Sequence, residues 1–365
     1  MARVQKIRLR PFRRTAVISD IHGELSYLKG LLEKLAPAEE DALIFLGDMV
    51  EKGPESLATL RYIMALREQY NVFALMGNCD GWHAAFDVGS EEAMQGVLHY
   101  MLHPKPGHRP GLVWEMCREA GIEVHENMDL AHMRRVLSLC FAEELDFLRS
   151  LPHIMESEDY VFVHGGLPPE GVDWREASGW KCMKYDNFAD GSRRFDKWVI
   201  CGHTPVMLYR RDITVASPRI DADCRIVSID GGCVLKDDGQ LNALLIEDGR
   251  FDAVWYDPFP LVRALEAQQE SERSRYVPWG DNEVEVLAAE GDFRLVRQKS
   301  SGYELWVPAD FLYERFGRLL VNDCTDYRPA VEPGDILSLV RETERGAWIK
   351  KNGVSGWYDG EYERV

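Results

Sequence analysis

Short, uninterrupted apolar runs alternate with amphipathic stretches through the first half of the chain. Ala16-Val17-Ile18 reads as a buried strand. Leu25, Leu28, Leu31, Leu32 and Leu35 then recur at the spacing of one helix face, and Pro37 marks the stop. Ala42 to Leu46 is the next strand, Leu57 to Leu66 the next helix, and Val72 to Met76 a third strand. This β-α-β-α-β order predicts a layered α/β core. From Gly89 to about Leu151 the pattern turns helical and loop-like, broken by His103-Pro104-Lys105-Pro106-Gly107. Strands return at Tyr160 to Val163, Trp198 to Cys201, Arg225 to Ile229 and Leu241 to Ile246. Residues 86–151 therefore read as a helical insertion, either a cap over a site or an extra packing layer.

After Asp257-Pro258 the composition shifts, so a first domain is placed at 1–257. Residues 258–275 read as a connector, with Leu261 to Arg275 a charged helix. Beyond it the chain is strand-rich and carries a weak repeat. Gly302, Trp306, Asp310 and Phe311 recur as Gly353, Trp357, Glu361 and Tyr362 at a constant offset of 51. The second copy resembles an SH3-like barrel. Cys324-Thr-Asp-Tyr327 stands for the barrel's Ala-Leu-Tyr-Asp-Tyr-type segment, Pro333-Gly-Asp-Ile-Leu337 for the turn that follows, and Trp348 and Gly356-Trp357-Tyr358 for its aromatics. The reading is a degenerate SH3-like unit at 276–317 and an SH3-like domain at 318–365. In SH3-like domains such aromatics can form a peptide-binding groove, but Asp359 stands where many of them have proline, and a purely structural role is the alternative.

Charge narrows the partners. With 61 acidic against 43 basic residues the formal charge is -18, so the mean field repels nucleic acid and disfavours bulk phosphate-backbone binding. No run of about 18 apolar residues offers a membrane span. Met1 to Arg14 is basic but leads into no apolar h-region, and reads as a solvated arm. The eight cysteines form no CxxC pair. The expectation is a cytoplasmic protein with reduced thiols, in which a local cationic pocket could still bind a small phosphorylated substrate.

The candidate chemistry lies at the ends of the strands, where α/β sheets tend to place their sites. The clusters are Ser19-Asp20-Ile21-His22-Gly23, Gly47-Asp48 through Glu51-Lys52-Gly53, Gly77-Asn78-Cys79-Asp80, His164-Gly165-Gly166 and Gly202-His203-Thr204. Asp230-Gly231-Gly232 closes another strand in the same manner. Any one of these alone is an ordinary turn or surface pair. Five in order, each after an apolar strand, are a site. Carboxylate, imidazole and amide oxygen together suit borderline-hard divalent metals. Residues i and i+2 of a strand share a face, so Asp20 and His22 can aim at one point. Two ions ~3.5–4 Å apart activate a bridging water and stabilise the leaving oxygen of a phosphoryl displacement.

Over Thr15 to Asp248 the sequence resembles the phosphoprotein phosphatase branch of the calcineurin-like metallophosphoesterases. Their signature runs Gly-Asp-x-His-Gly, Gly-Asp-x-Val-Asp-Arg-Gly, Gly-Asn-His-Glu, His-Gly-Gly and a later histidine. The resemblance implies a β-sandwich flanked by helices. It also implies a dinuclear site with Asp20 and His22 on the first metal, Asp48 bridging, and Asn78, His164 and His203 on the second. Manganese is the expected metal, with iron, zinc or nickel as alternatives. The departures fall on the catalytic positions. Glu51-Lys52 replaces Asp-Arg, so the phosphate contact passes to Lys52, which lacks the planar guanidinium fork. Cys79-Asp80 replaces His-Glu. A thiol near its usual pKa of about 8.5 is a poor substitute for an imidazole near 6.5 as the acid that protonates the leaving oxygen.

His83, four residues past Cys79, could replace that acid if one helical turn brought both to the same face. His103, His108, His125 and His132 are further candidates. Arg109, Arg134, Arg135 and Arg219 are candidates for a second phosphate-binding cation. The expected activity is metal-dependent phosphomonoester hydrolysis of the protein phosphatase type. The alternatives are a phosphodiesterase or dinucleoside-polyphosphate hydrolase, and a catalytically weak module that binds phosphorylated partners.

Overall fold

The computed structural model of the chain describes residues 1–10, 12–105, 107–168, 172–191 and 193–365. These form two compact units, the first of residues 1–204, 218–235 and 241–256. In chain order the elements are β1 (Val4–Lys6), β2 (Thr15–Ile18), α1 (Leu25–Leu35), β3 (Ala42–Phe45), α2 (Ser56–Leu66) and β4 (Asn71–Ala74). The insertion follows as α3 (His83–Val88), α4 (Glu91–Leu102), α5 (Leu112–Glu119), α6 (Leu130–Cys140) and α7 (Ala142–Ser150). Next come β5 (Ile154–Glu156), β6 (Tyr160–Val163), α8 (Gly179–Met183), β7 (Trp198–Cys201) and β8 (Thr214–Val215), the last in the second unit. The first unit closes with β9 (Arg219–Asp221), β10 (Ile226–Ser228), β11 (Leu241–Glu247) and β12 (Arg250–Tyr256).

Two sheets carry this unit, ordered β1-β5-β6-β7-β10-β9 and β12-β11-β2-β3-β4. The two-residue period of a strand sorts side chains between layers. On β2 and β3, Val17 and Ile44 join Leu75, Met155, Phe162, Ile200, Val227 and Leu244 in the core shared by the two sheets. Ala16, Ile18, Leu43 and Phe45 face the other way, onto the leucines of α1 and α2 and the apolar faces of α4 to α7. Thus the leucine stripe of α1 and the insertion share one hydrophobic cluster. The result is the α/β sandwich flanked by helices that the sequence predicts. β2, β3 and β4 run parallel, as do β6, β7 and β10. Each of these strands ends just before one of the polar clusters.

The second unit comprises residues 205–217, 236–240 and 257–365. Its strands are β13 (Leu261–Ala264), β14 (Tyr276–Val277), β15 (Val284–Glu290), β16 (Phe293–Gln298), β17 (Glu304–Pro308), β18 (Leu312–Arg315), β19 (Arg318–Val321), β20 (Cys324–Thr325), β21 (Ile336–Thr343), β22 (Gly346–Lys351), β23 (Val354–Tyr358) and β24 (Tyr362–Arg364). Gly302 and Gly353 both lie in the turns of hairpins, β16–β17 and β22–β23.

Several expectations need correction. Leu261 to Arg275 is not a helix. Val262 and Ala264 are buried at alternate positions, and β13 pairs with β21 on one side and β24 on the other. The apolar-polar alternation of Leu261-Val-Arg-Ala is a strand period that the surrounding charges mask. The basic N-terminus is not a free arm, since Val4–Lys6 pairs with β5 and Ile7 and Leu9 are buried. Residues 205–217 and 236–240, read as part of the first domain, belong to the second unit. A boundary at 317 falls in the turn between β18 and β19, and one core takes Val284, Leu305 and Phe311 together with Val321, Cys324 and Trp348. Pro106, within the break at His103–Gly107, lies outside the described residues. Among the described residues no helix is long and apolar enough to cross a membrane.

Leu244 is 0 % exposed between the two sheets. Leu244→Ala is expected to cost ~2–5 kcal/mol, read as a lower urea midpoint. Leu139→Ala, at a residue 76 % exposed, is expected to stay within ~0.5 kcal/mol.

Candidate metal centre

Strands end abruptly at this edge, and the backbone there is strained. Thirteen non-glycine residues among those described have positive φ, and Asp20, His22, Asp48, Glu51, Lys52 and His203 are six of them. Left-handed backbone costs roughly 1–3 kcal/mol at such residues and persists only when surrounding contacts impose it. Two supports stand out. The Gly47 and Gly77 backbones touch, so that a Cβ on Gly47 would come within 2.2 Å of Gly77 N. The buried Asp80 carboxylate then accepts from Gly77 N and Asp48 N at 2.8 Å through Oδ2, and from Met49 N at 3.0 Å through Oδ1. One side chain thereby holds the turns after both β3 and β4.

These turns bring the predicted ligands together. Asp20, His22, Asp48 and His164 are 0–1 % exposed, and Asn78 and His203 are half-buried. His22 Nε2 lies 3.8 Å from Asp20 Oδ1 and 3.8 Å from Asp48 Oδ2, while His164 Nε2 lies 3.3 Å from Asp48 Oδ1. The His164 and His203 rings meet edge to face with centroids 5.2 Å apart. Asp20 Oδ2 accepts from Ser19 Oγ and from His203 N, at 2.5 and 2.9 Å. His164 Nδ1 is held by the Leu46 carbonyl at 2.8 Å, which directs Nε2 toward Asp48. Two groups of donor atoms result, His22–Asp48–Cys79 and Asp48–His164–His203, each within 4.8 Å across. Asp48 belongs to both.

The donor set fits divalent cations. Asp20 Oδ1, Asn78 Oδ1 and His164 Nε2 are buried without a hydrogen-bond partner, a costly arrangement unless something else satisfies them. Burial raises the Asp20 carboxyl, helped by Asp48. Burial acts the same way on Asp48, but His164, His22 and Lys52 outweigh it and hold that group well below the carboxylate range. Burial lowers His22 well below its usual value, and the Lys52 charge adds to this. Burial, His164 and Lys184 bring His203 to about 4. Both imidazoles are therefore neutral near pH 7, the form that binds metals. For His164 burial opposes charging, yet Asp48 and Asp20 prevail and raise it to about 9.

Lys52 Nζ stands 2.9 Å from His22 Nε2 and 3.9 Å from Asp48 Oδ2, beside two members of the first donor group. Cys79 is half-buried in the turn after β4, its N–H on Asp48 Oδ1 at 2.8 Å. Burial and the Asp48 charge push its thiol well above the usual range. The helical relation between Cys79 and His83 does not form, because Cys79 precedes α3. Burial lowers the His83 imidazole, and the charges of Asp87, Arg3 and Arg149 act on it in turn. Of the insertion's histidines, His108 is half-buried near the Lys52 charge, whereas His103 stacks on His99. Arg134 donates to the Phe86 carbonyl and Arg219 pairs with Asp190. A cation the sequence reading missed, Lys184, lies 3.2 Å from His203 Nε2, which also meets Asp186 Oδ1 at 2.8 Å. Its signal was a pair of lysines, Lys181 and Lys184, between the last two histidine motifs. Asp230 is buried close to Asp20, with Oδ1 on Gly232 N at 2.8 Å.

Glu51 does not face the ligands. Its Oε1 accepts from Leu112 N, at the start of α5, at 2.8 Å, with Tyr100 and Trp82 beside it. Glu115 of α5 returns the contact, accepting from Ser56 N and Leu57 N at the start of α2 at 2.9 and 2.8 Å. Each helix N-terminus thus receives a carboxylate from the other segment, and Arg109 N donates to the Lys52 carbonyl at 2.9 Å. The insertion clasps the loop that carries Lys52.

Burial raises Glu51 from 4.5 to about 7, against the pull of the Leu112 N–H. Between those values the unfolded chain binds fewer protons than the folded one, so stability falls as pH rises from about 4.5 to about 7 and levels above. Glu51→Gln is expected to flatten that fall by one proton's worth, measured as urea midpoints across the window. Gly111→Ala sets a Cβ 2.0 Å from Glu51 Oε2 at φ +87 and is expected to lower the midpoint at every pH.

Comparison with known proteins agrees with this geometry. The profile of the calcineurin-like phosphoesterase family matches residues 13–207. A symmetrical bis(5'-nucleosyl)-tetraphosphatase of Pseudomonas fluorescens (strain SBW25) is 29% identical over 172 residues, 46% of this chain and 47% of its own. That of Janthinobacterium sp. (strain Marseille) is 42% identical over 157 residues, 43% of this chain and 44% of its own. The chain spans about half the length of the curated relatives it matches. A cold-active protein-tyrosine phosphatase structure from a psychrophilic Shewanella covers 69% of this chain and 80% of its own at 16% identity and a TM-score of 0.43. With more than half of its length matched, and with acidic, imidazole and amide donors gathered at the ends of its parallel strands, the chain belongs to the calcineurin-like phosphoesterase family.

Proposed function

We propose that this chain is a metal-dependent phosphohydrolase suited to leaving groups that depart as stable anions, with phosphoric anhydrides of the dinucleoside-polyphosphate class foremost. The first ion would be held by Asp20, His22 and Asp48, and the second by Asp48, Asn78, His164 and His203. When bound, such a pair polarises phosphoryl oxygen and lowers the pKa of water. Lys52 and Lys184, near His22 and His203 respectively, supply cations for the non-bridging oxygens. Burial opposes the charge on Lys52, but Cys79, Asp48 and Asp20 raise its pKa above the lysine value. It therefore remains an ammonium throughout the working range.

The observation that carries the reading is Cys79. Its thiol holds its proton more firmly than an ordinary cysteine, so it is a weak general acid. A leaving alkoxide needs that proton, whereas a nucleotide phosphate does not. The tetraphosphatase names of the curated relatives support the same substrate class. Aryl phosphomonoesters are the second reading, since a phenol of pKa about 10 also departs without much help.

The test is a substrate series with added manganese: diadenosine tetraphosphate, p-nitrophenyl phosphate, its bis ester, and phosphotyrosine and phosphoserine peptides. The expected order is anhydride, then aryl monoester, with phosphoserine far behind. Asp48→Asn is expected to lower every rate by more than about 100-fold, beyond what the loss of an outer-shell partner causes. Equal turnover of the two peptides would sink the argument from the weak acid. A bis-ester preference would identify a phosphodiesterase instead.

A further inference from the structure

Cys79 occupies the place of a histidine, and the proposed reaction asks nothing of its sulfur. The surroundings of that sulfur are unusual. Its sequence neighbour Asn78 donates from Nδ2 to Cys79 Sγ at 3.3 Å, leaving Asn78 Oδ1 without a partner. Its own N–H fixes it to Asp48. The sulfur, a carboxylate oxygen of Asp48 and a ring nitrogen of His22 lie within 4.8 Å of one another. Ligands at ~2.0–2.3 Å from one tetrahedral ion stand roughly 3.3–3.8 Å apart, so a contraction of about 1 Å would close the set. Among the described residues no other cysteine joins such a group. A positive charge already stands beside two of the three, with the Lys52 ammonium 2.9 Å from His22 Nε2 and 3.9 Å from Asp48 Oδ2. Nearby, Asp20 Oδ1 is buried and unpartnered.

We propose that Cys79 Sγ, as thiolate, is a ligand of the ion held by His22 and Asp48. On binding, a sulfur–metal bond forms and the thiol proton leaves to solvent, with no change of oxidation state. The Asn78 amide is the outer donor that steadies the sulfur, as such partners do at metal sites. A nitrogen, oxygen and sulfur set moves the preference toward zinc, ferrous iron or cobalt and away from manganese. It also accounts for the missing acid, because a ligated sulfur has no proton to give. The proposal rests on the metal-dependent reading above.

The test is the absorption spectrum of the full chain loaded with cobalt(II), alongside cobalt stoichiometry by equilibrium dialysis. A thiolate ligand adds an intense near-ultraviolet sulfur-to-cobalt charge-transfer band that carboxylate and imidazole ligands lack. The band is expected in the native chain and in Cys140→Ser, whose cysteine is exposed. It should be absent in Cys79→Ser, where zinc affinity relative to manganese is expected to fall at least about tenfold. Should Cys79→Ser fail to fold, Cys79→Asp keeps a ligand of different chemistry and is expected to bind cobalt without the band. Cobalt bound without the band in the native chain, or a band that survives either substitution, overturns the ligand assignment alone. No cobalt bound at all overturns the metal-dependent reading beneath it.

Discussion

Negative charge buried at one edge of the sandwich is the constraint on which the rest depends. Asp20, Asp48, Asp80 and Asp230 are each 0–1 % exposed, and an unpaired buried carboxylate costs several kcal/mol. The protein meets that cost differently at each. Asp48 stays ionised among His164, His22 and Lys52. Asp80 is raised to about 7 by burial and by Asp48, yet it is surrounded by backbone N–H donors. Asp230, also raised by burial, is beside Asp20. Lys52 supplies one formal positive charge at the cluster, and Asp48 and Asp20 raise the His164 imidazole against burial. Oxygen and nitrogen donors that still lack partners are what a divalent cation completes.

Strain follows from that clustering. Six left-handed, non-glycine residues cannot be local preferences; other parts of the chain must hold them. Asp80 grips the turns after β3 and β4 through their N–H groups. Glu51 of the loop between β3 and α2 and Glu115 of the insertion tie these two segments together, each seated at the start of the other segment's helix. The insertion is therefore part of the scaffold of the Lys52 loop. A loop fixed at both ends places a flexible lysine with less loss of side-chain entropy on binding than a free loop would.

Much of this was legible in the sequence because its signals are local. Apolar runs such as Ala42 to Leu46, the leucine stripe of α1, and a glycine beside each donor are read within a few residues. What escaped depends on distant partners. β1 is a strand only because β5 exists, and β13 only because β21 and β24 flank it. The Glu51–Leu112 contact spans 61 positions and Lys184 meets His203 across 19, so no window on the sequence contains them. His83 shows the converse. Its spacing from Cys79 suggested a shared helix face, but the chain is still turning at Cys79 and enters a helix only at His83.

The two departures from the family pattern also read differently once they are seen to share a space. Taken singly, Lys52 for arginine weakens phosphate binding and Cys79 for histidine removes an acid. In the structure both side chains converge on His22 and Asp48. A compact ammonium can enter the space between an imidazole and a carboxylate, whereas a planar guanidinium needs the width of its fork. A sulfur beside it leaves a donor that is softer than an imidazole and more easily made anionic by a bound cation. The pair is thus better understood as one change than as two losses. It remakes the inner surface of the first donor group and leaves the second, built by Asp48, His164 and His203, with the ligand types of the family.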